Sequence, residues 1–512
     1  MVVKILLLAV FFTVTTVIGL ISRKKVMSVN DFVLGGRNIG AWLGAFSYGT
    51  AYFSAVVFVG YAGQFGWSYG VAAVWIGLGN AFVGSLMAWA LLGNRTRTMT
   101  KHLDTATMPE FFEKRYGSKA IKLAAAIIMF VFLIPYSASV YKGLSGIFTK
   151  AFNIDFGWCV VGMAVLTAIY VVLGGYIASS INDFIQGIIM LFGIVAVIVS
   201  VLNGKGGFAE SMTLLSQQEV TSGANAGMNG GYVSFFGPEP FGLLGVVILT
   251  SLGPWGLPHM IHKFYSIRDA KEIRKGTVIS TLFALIIAGG SYFMGAFGRL
   301  YVESDANGMP VTGSDGVVPA MLSSILPDIL LGVIVVLVLS ASMSTLSSLV
   351  ISSSSTFAID FVKGFLYKKI DDKKQMLVIR IMSAFFILVS VLIALFSNEL
   401  ISGLMSISWG ALAGAFLAPF LYGLFWKGIT RAGVWAGFIT GVAVTVANIF
   451  TQTFIAPVAG ALAMFASLIV VPVVSLVTPK LEKERIDKCF ECFNGNMGEE
   501  ESEYLKGVSV AS

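Results

Sequence analysis

The chain has 512 residues, of which 56% are hydrophobic and only 12% are charged. This composition excludes a single water-soluble domain, because one protein core cannot bury that much apolar surface and lipid must act as the solvent for much of it. The formal net charge of +7 comes from basic residues beside the apolar stretches, so we expect no nucleic-acid partner.

Thirteen apolar stretches follow one another along the chain. Each is long enough to cross a hydrocarbon layer of roughly 30 Å as an α-helix. They lie at about residues 4–21, 41–65, 69–93, 122–147, 157–176, 181–202, 241–262, 277–300, 323–359, 376–397, 402–426, 432–450 and 457–478. The sequence therefore predicts an all-α polytopic membrane protein with about 13 transmembrane helices.

The distribution of lysine and arginine predicts the orientation of these helices. With the N-terminus outside, five of the 34 basic residues fall at outer ends, namely Lys4, Lys142, Lys150, Lys205 and Arg299. The others fall at inner ends, in clusters at about residues 23–25, 95–119, 263–275 and 363–374. We therefore predict an outside N-terminus and a cytoplasmic C-terminus.

The polar segments are too short to form a catalytic or sensor domain. We predict one transmembrane domain over residues 1–478 and a cytoplasmic tail over residues 479–512, whose Glu499-Glu500-Glu501 run is typical of disorder. Cys489 and Cys492 have the spacing of half a zinc site with no second half nearby, so we expect reduced, unligated thiols. The sequence contains no Walker-type Gly-Lys-Ser or Gly-Lys-Thr loop, and we expect no nucleotide partner.

The three histidines do not form a convincing catalytic or metal site. His102 falls in a predicted cytoplasmic loop, whereas His259 and His262 fall near the inner end of the seventh stretch without an acidic partner. We expect interfacial or gating contacts for His259 and His262, and we do not expect an enzyme. A membrane-embedded protease is the remote alternative.

Helix-breaking residues interrupt two of the stretches. The second stretch contains Gly44, Ser47, Gly49, Thr50 and Ser54, and the seventh contains Ser251-Leu252-Gly253-Pro254-Trp255-Gly256-Leu257-Pro258. The two stretches start five spans apart, as expected for two five-helix repeats of inverted topology that each open with a discontinuous helix. Unwound backbone inside a membrane exposes carbonyl oxygens, which are good ligands for Na⁺. Close helix packing is the alternative explanation.

Two further stretches carry oxygen ligands for a cation. Asp183 starts a long apolar helix, where an ionised carboxylate costs at least about 2.5 to 3.5 kcal/mol and needs a cation, a proton or hydrogen bonds. The ninth stretch carries neighbouring hydroxyl groups, and Ser344, Ser347 and Ser348 share one face of the helix. The alternatives are a water-exposed helix cap for Asp183 and helix-to-helix hydrogen bonds for the serines.

Four motifs resemble those of the sodium:solute symporter family, which includes bacterial sodium/proline, sugar, sialic acid and pantothenate symporters. They are Asp31-Phe32-Val33-Leu34-Gly35-Gly36-Arg37, Gly174-Gly175-Tyr176 with Asp183 and Gln186, Gly256-Leu257-Pro258-His259, and Ala341-Ser342-Met343-Ser344-Thr345-Leu346-Ser347-Ser348. With similar residues at 408–426 and 433–441, the resemblance covers about residues 1–478. It implies a LeuT-type transporter fold with inverted repeats at about residues 41–202 and 241–426 and additional terminal helices.

The resemblance also implies which residues bind sodium. A main site would use the backbone carbonyl oxygens of Thr50, Phe53 and Ala341 and the hydroxyl groups of Ser344 and Thr345. A second site, which only some family members have, would use Asp183, Ser344, Ser347 and Ser348. We therefore expect one or two Na⁺ ions per cycle, and import of a small organic solute by alternating access across a bacterial plasma membrane.

The candidate substrate-binding residues are mostly aromatic, with a few hydroxyl groups: Ser47, Tyr48, Tyr52, Ser54, Val57, Trp75, Tyr136 and Trp255. Proline symporters of this family carry an acid where Tyr52 stands and a glutamine where Leu257 stands, and sugar carriers carry a glutamine near Val57. We favour an amino acid or a monocarboxylate as substrate, and a sugar or sialic acid type of solute is the second choice. Proton coupling, and a channel or solute sensor on the same scaffold, are the remaining alternatives.

Overall fold

The structure is a computed structural model, and it describes residues 2–23, 28–221 and 225–493. Within these ranges the regular structure is helical, and only isolated β-bridges such as Ile39 with Ile267 accompany it. The first helices are α1 (Val2–Arg23), α2 (Val29–Leu34), α3 (Ala41–Tyr52), α4 (56–69), α5 (74–102), α6 (Met108–Tyr116), α7 (Lys119–Phe152), α8 (Phe156–Asn203) and α9 (Phe208–Ser216). The later helices are α10 (Pro240–Leu252), α11 (Pro258–Tyr265), α12 (Ala270–Leu300), α13 (Val317–Ile325), α14 (Ile329–Leu366), α15 (Asp372–Phe396), α16 (Ile401–Phe425), α17 (Arg431–Thr451), α18 (Ala456–Val477) and α19 (Lys483–Phe490).

The helices confirm the prediction of an all-α polytopic membrane protein. Ten helical runs in the described ranges are long and apolar enough to cross a membrane, and two shorter apolar helices, Lys4–Gly19 and Phe156–Ala168, accompany them. One of the ten, Val56–His102, contains both α4 and α5, which are separated by a turn at Gly70. The number of thirteen crossings and the orientation of the termini stay predictions.

Both predicted helix interruptions are confirmed. Helix α3 ends at Tyr52, and Phe53 is extended, with φ −108° and ψ 90°. Helix α10 ends at Leu252, and after one tight turn the chain is extended at Leu257, with φ −80° and ψ 119°. A residue before proline avoids helical geometry, and Pro258 then starts α11 at a position where its missing N–H is not needed.

Glycines allow α4 to pack closely on α12. A Cβ atom on Gly66 of α4 would lie 2.2 Å from the Gly295 backbone, and one on Gly295 would lie 2.0 Å from the Ala62 carbonyl oxygen. No side chain fits at such distances, so α4 and α12 are in direct backbone contact. This contact holds α4, the helix that follows the break at residue 53, against α12.

The tail is partly ordered, in contrast to the predicted disorder. The tail contains helix α19, which packs against the rest of the protein. Phe490 and Cys492 are buried, and the guanidinium of Arg115 lies 5.0 Å from the Phe490 ring centroid. Burial raises the pKa of the Cys489 thiol, which keeps it in the unreactive thiol form. The Glu499-Glu500-Glu501 run lies outside the described residues.

Candidate functional site

Oxygen atoms from α3 and α14 converge at the end of α3. The Thr345 hydroxyl oxygen lies 3.2 Å from the Thr50 carbonyl oxygen, 3.1 Å from the Ala51 carbonyl oxygen and 3.2 Å from the Ala341 carbonyl oxygen. A hydroxyl group has one proton to donate. This proton cannot serve three carbonyl oxygens at once, so lone pairs remain that could bind a cation.

The α3 carbonyl oxygens are available because the helix ends there. The last four carbonyl groups of a helix have no N–H partner within that helix. Because Phe53 is extended, the helical hydrogen bonds stop there, and the carbonyl groups of Thr50 and Ala51 are left without a helical N–H partner. Two oxygen ligands about 2.4 Å from a cation lie roughly 3.4 Å apart when they subtend a right angle. The separations around Thr345 are close to that value, so small shifts would place a cation among these oxygens.

The remaining predicted residues of the main sodium site lie at the same place. The Ser344 hydroxyl donates to the Thr50 hydroxyl oxygen at 2.8 Å. Phe53 and Ala341 line a cavity of about 10 Å³, which is near the smallest volume that holds one water molecule. The structure thus brings Thr50, Phe53, Ala341, Ser344 and Thr345 together, and their role as Na⁺ ligands stays a prediction.

Asp183 lies inside the protein rather than at its surface. Its side chain is fully buried within α8, so the alternative of a water-exposed helix cap is wrong. The Ser47 hydroxyl of α3 donates to Asp183 Oδ2 at 2.5 Å. Helix α8 is interrupted at Gly175 (φ 60°), so the carboxylate lies in its second half, well past the interruption.

Lys263 of α11 is the residue that sequence reasoning missed. Its ammonium donates to the Ser47 hydroxyl at 2.8 Å and to the Ser348 hydroxyl at 2.9 Å, and it lies 3.9 Å from Asp183 Oδ2. The Lys263 side chain is only 2% exposed. The charge distribution groups Lys263 with the inner basic residues, although its place five residues after Pro258 in a broken span is a usable signal for a buried position.

The four residues predicted for the second sodium site are divided in their contacts. Asp183 and Ser348 both face the Lys263 ammonium. The Ser347 hydroxyl instead donates to the Met343 carbonyl of its own helix at 2.8 Å, and the Ser344 hydroxyl donates towards α3. The Lys263 ammonium is therefore close to Asp183 Oδ2 and Ser348, two of the predicted ligands, and the role of all four residues in binding a second Na⁺ stays a prediction.

Aromatic and polar side chains meet beside the two breaks. Tyr52 and Tyr136 pack against Trp409 of α16, with ring centroids 6.0 Å and 5.8 Å away, and His259 lies 5.6 Å from Tyr136. The Tyr136 hydroxyl, Trp409 Nε1 and both His259 ring nitrogens are buried without a well-directed hydrogen bond to the described residues. His259 is 1% exposed, so it does not lie at the protein surface, and the predicted gating contact stays a prediction.

The other predicted substrate residues take different positions. Ser54 and Val57 line the small cavity beside Phe53, whereas Ser47 belongs to the Lys263 cluster. Tyr48 and Trp255 both form hydrogen bonds to the backbone of α5. The Tyr48 hydroxyl donates to the Gly84 carbonyl, and Trp255 Nε1 donates to the Val83 carbonyl.

Trp75 lies apart from this region. Its side chain is 36% exposed, and its Nε1 donates to the Phe235 carbonyl in the loop before α10 at 2.9 Å. The structure therefore does not bring Trp75 to the broken helices. Trp409 is the aromatic residue that stands there instead, and in the sequence only its similarity to the family at residues 408–426 marks it.

Known transporters match the chain over most of its length. The model of the sodium:solute symporter family matches residues 32–441. The sodium/proline symporter of Haemophilus influenzae is 30% identical over 438 residues, which cover 84% of each protein. The osmoregulated proline transporter of Bacillus subtilis is 26% identical over 493 residues, covering 96% of this chain and 97% of the relative.

Solved structures of transporters share the fold. A Na⁺-coupled sialic acid symporter in a substrate-bound, outward-open state aligns with a TM-score of 0.73 at 17% identity, over 94% of this chain and 99% of that one. Mhp1, a transporter of the nucleobase-cation-symport-1 family, aligns with a TM-score of 0.52 at 13% identity, over 89% of this chain and 97% of that one. The fold is thus of the LeuT type, as expected.

These findings define the protein as a multi-pass bacterial membrane transporter and not an enzyme. It couples the movement of Na⁺ to that of a small organic solute. The chain belongs to the sodium:solute symporter family.

Proposed function

We propose that the chain imports a small amino acid, and that the driving Na⁺ ion binds between the end of α3 and the hydroxyl groups of α14. The observation that carries the ion site is the Thr345 hydroxyl, which has three carbonyl oxygens within 3.2 Å. An ion bound there would hold α14 against the unwound end of α3. Loss of the ion to the cytoplasm would free the two helices to separate, which links ion release to the change of access.

The energy available to this site follows from its charge. One positive charge that moves across 100 mV yields about 2.3 kcal/mol. By itself that energy supports a solute gradient of roughly 50-fold, and the concentration gradient of Na⁺ adds to it. A second ion would raise the electrical part to about 4.6 kcal/mol, or roughly 2000-fold.

The proposed solute site lies beside the two breaks. The Tyr136 hydroxyl, Trp409 Nε1 and the His259 ring offer donors and acceptors that could bind a charged amino or carboxyl group. The Tyr52 ring supplies an apolar wall, which suits a small apolar side chain. This site lies next to the α3 carbonyl oxygens, so a bound ion and a bound solute would stabilise the same arrangement of α3.

Relatives favour proline as the first compound to test, since several bear the names sodium/proline symporter or proline transporter. By the family resemblance, Tyr52 and Leu257 stand where proline symporters are expected to carry an acid and a glutamine, so proline itself needs a direct test. We therefore propose the amino acid class, with proline as its first candidate.

A thermal-shift screen of the purified protein tests the proposal. Amino acids, monocarboxylates and sugars are each added with Na⁺ and with K⁺. A ligand at 100 times its dissociation constant stabilises the folded state by about 2.7 kcal/mol, which gives a measurable rise in melting temperature. We expect such a rise for an amino acid in Na⁺ only. A sugar that stabilises the protein while amino acids do not would refute the substrate class, and equal shifts in K⁺ would refute the ion site.

A further inference from the structure

We propose that the Lys263 ammonium is a tethered cation that takes the place of a second sodium ion, so that the chain binds and carries one Na⁺ per cycle. The inference rests on the main site of the proposed function and concerns only the cation place beside Asp183. Three oxygen atoms surround the ammonium there, at 2.8 Å on Ser47, 2.9 Å on Ser348 and 3.9 Å on Asp183.

The ammonium and a second ion would compete for the same ligands. Asp183 and Ser348 belong to the predicted second site, and both already face Lys263. The Tyr176 ring lies on a further side of the ammonium, with its centroid 5.2 Å from Nζ. A sodium ion bound to Asp183 Oδ2 and the Ser348 hydroxyl would therefore lie in contact with Lys263 Nζ.

Charge balance favours the ammonium over an additional ion. The Asp183 carboxylate is fully buried and the Lys263 side chain is 2% exposed, so the pair is closed off from water. One carboxylate neutralises one cation. A sodium ion beside Lys263 would leave a net positive charge in the protein interior, where an uncompensated charge is strongly unfavourable.

The space around Lys263 also leaves little room for an ion with its own water shell. A cavity of about 10 Å³ adjoins the cluster, lined by Tyr176, Ser179, His259, His262, Lys263, Ser348, Ile351 and Ser352. This volume accommodates about one water molecule. The ammonium, fixed to α11 by its side chain, is therefore the cation that fits this place.

The tether changes what the cation can do during transport. Lys263 on α11 connects the second broken helix to α3 through Ser47 and to α14 through Ser348. A free ion at this place would leave with each cycle and add its charge to the driving force. An ammonium that stays with the protein keeps the contact between these helices but delivers no ion to the cytoplasm.

Counting bound sodium tests the inference without knowledge of the solute. Binding of radioactive ²²Na⁺ to the purified protein at saturation is measured per folded chain. We expect one ion for the wild type and for Lys263→Arg, which keeps the charge. We expect two ions for Lys263→Met, which removes the charge and keeps an unbranched side chain that is one atom shorter. The matched control is Lys275→Met, a lysine that is 67% exposed, and it should bind one ion.

The possible results separate this inference from the proposed function. Two ions in the wild type would overturn the tethered cation while the main site stands. No bound ion in the wild type would refute the main site, and the one-ion count with it. The wild-type count needs no variant, so it decides the question even where Lys263→Met fails to fold. A folded Lys263→Met protein that still binds one ion would show that the ammonium does not exclude the second.

Discussion

Replacement of Thr345 by alanine removes the hydroxyl group at the centre of the proposed sodium site. The lost oxygen lies 3.1 to 3.2 Å from three carbonyl oxygens and is fully buried, so water does not readily replace it. A hydrogen bond or ligand contact to a charged group is worth about 1.5 to 3 kcal/mol. At 1.4 kcal/mol per tenfold change, we expect the half-saturating Na⁺ concentration to rise by roughly 10- to 100-fold.

The assay is uptake of radiolabelled solute into proteoliposomes at a fixed membrane potential, with Na⁺ varied against choline. Two variants serve as controls. Thr345→Ser keeps the hydroxyl and should stay within about threefold of the wild type. Ser342→Ala removes a buried hydroxyl of the same helix that donates to the Val338 carbonyl at 2.7 Å, and it should leave the Na⁺ dependence unchanged. A wild-type Na⁺ curve for Thr345→Ala would show that the convergence of oxygens is not the ion site.

Three further predictions concern the solute site, the buried ion pair and the helix contact. Trp409→Phe removes the indole N–H, so it should raise the solute concentration for half-maximal uptake at least about fivefold. Na⁺ binding measured without solute should stay the same, and a shift in Na⁺ binding would contradict the assignment of Trp409 to the solute site. Asp183→Asn should lower thermal stability, since breaking a buried ion pair costs about 3 to 5 kcal/mol. Adding Lys263→Met should restore part of the lost stability, and an additive loss in the double variant would contradict the pairing. Gly66→Ala should destabilise the protein by about 1 to 3 kcal/mol or prevent folding. Gly146→Ala should be tolerated, because a Cβ there meets nothing within 4 Å. Equal melting temperatures of the two variants would contradict the close contact at Gly66.

The helices and their interruptions could be predicted because they are local properties of the sequence. Long apolar runs determine the spans, and Pro254 and Pro258 determine where α10 and α11 separate. The first break was harder to locate, since no proline marks it. The glycine and hydroxyl residues of the second stretch predicted an interruption, and the structure places it at Phe53.

The ion pair between Asp183 and Lys263 could not be predicted from local patterns. The rule that basic residues collect at inner ends of spans assigned Lys263 to the cytoplasmic side. That rule ignores depth within a broken span, where α11 has only eight residues and lies against α3 and α14. The acidic partner is on a different helix, so only tertiary structure brings the two charges together.

Aromatic residues were predicted with mixed success for a similar reason. Tyr52 and Tyr136 do meet beside the breaks, but Trp75 packs against the loop before α10. A tryptophan in an apolar stretch looks the same in sequence whichever face of its helix it occupies. Trp409 reaches the breaks because α16 packs against them, and this packing is a property of the whole fold.

In the proposed function, a sodium ion held by the unwound end of α3 and the hydroxyl groups of α14 drives solute uptake. The most direct test is accumulation of labelled proline, or of the amino acid found in the thermal-shift screen, in proteoliposomes with an inward Na⁺ gradient and an inside-negative potential. We predict transient accumulation above the outside concentration that disappears when the Na⁺ gradient is removed or Thr345 is replaced by alanine. Uptake that never exceeds the outside concentration, or that is the same in K⁺ as in Na⁺, would contradict the claim.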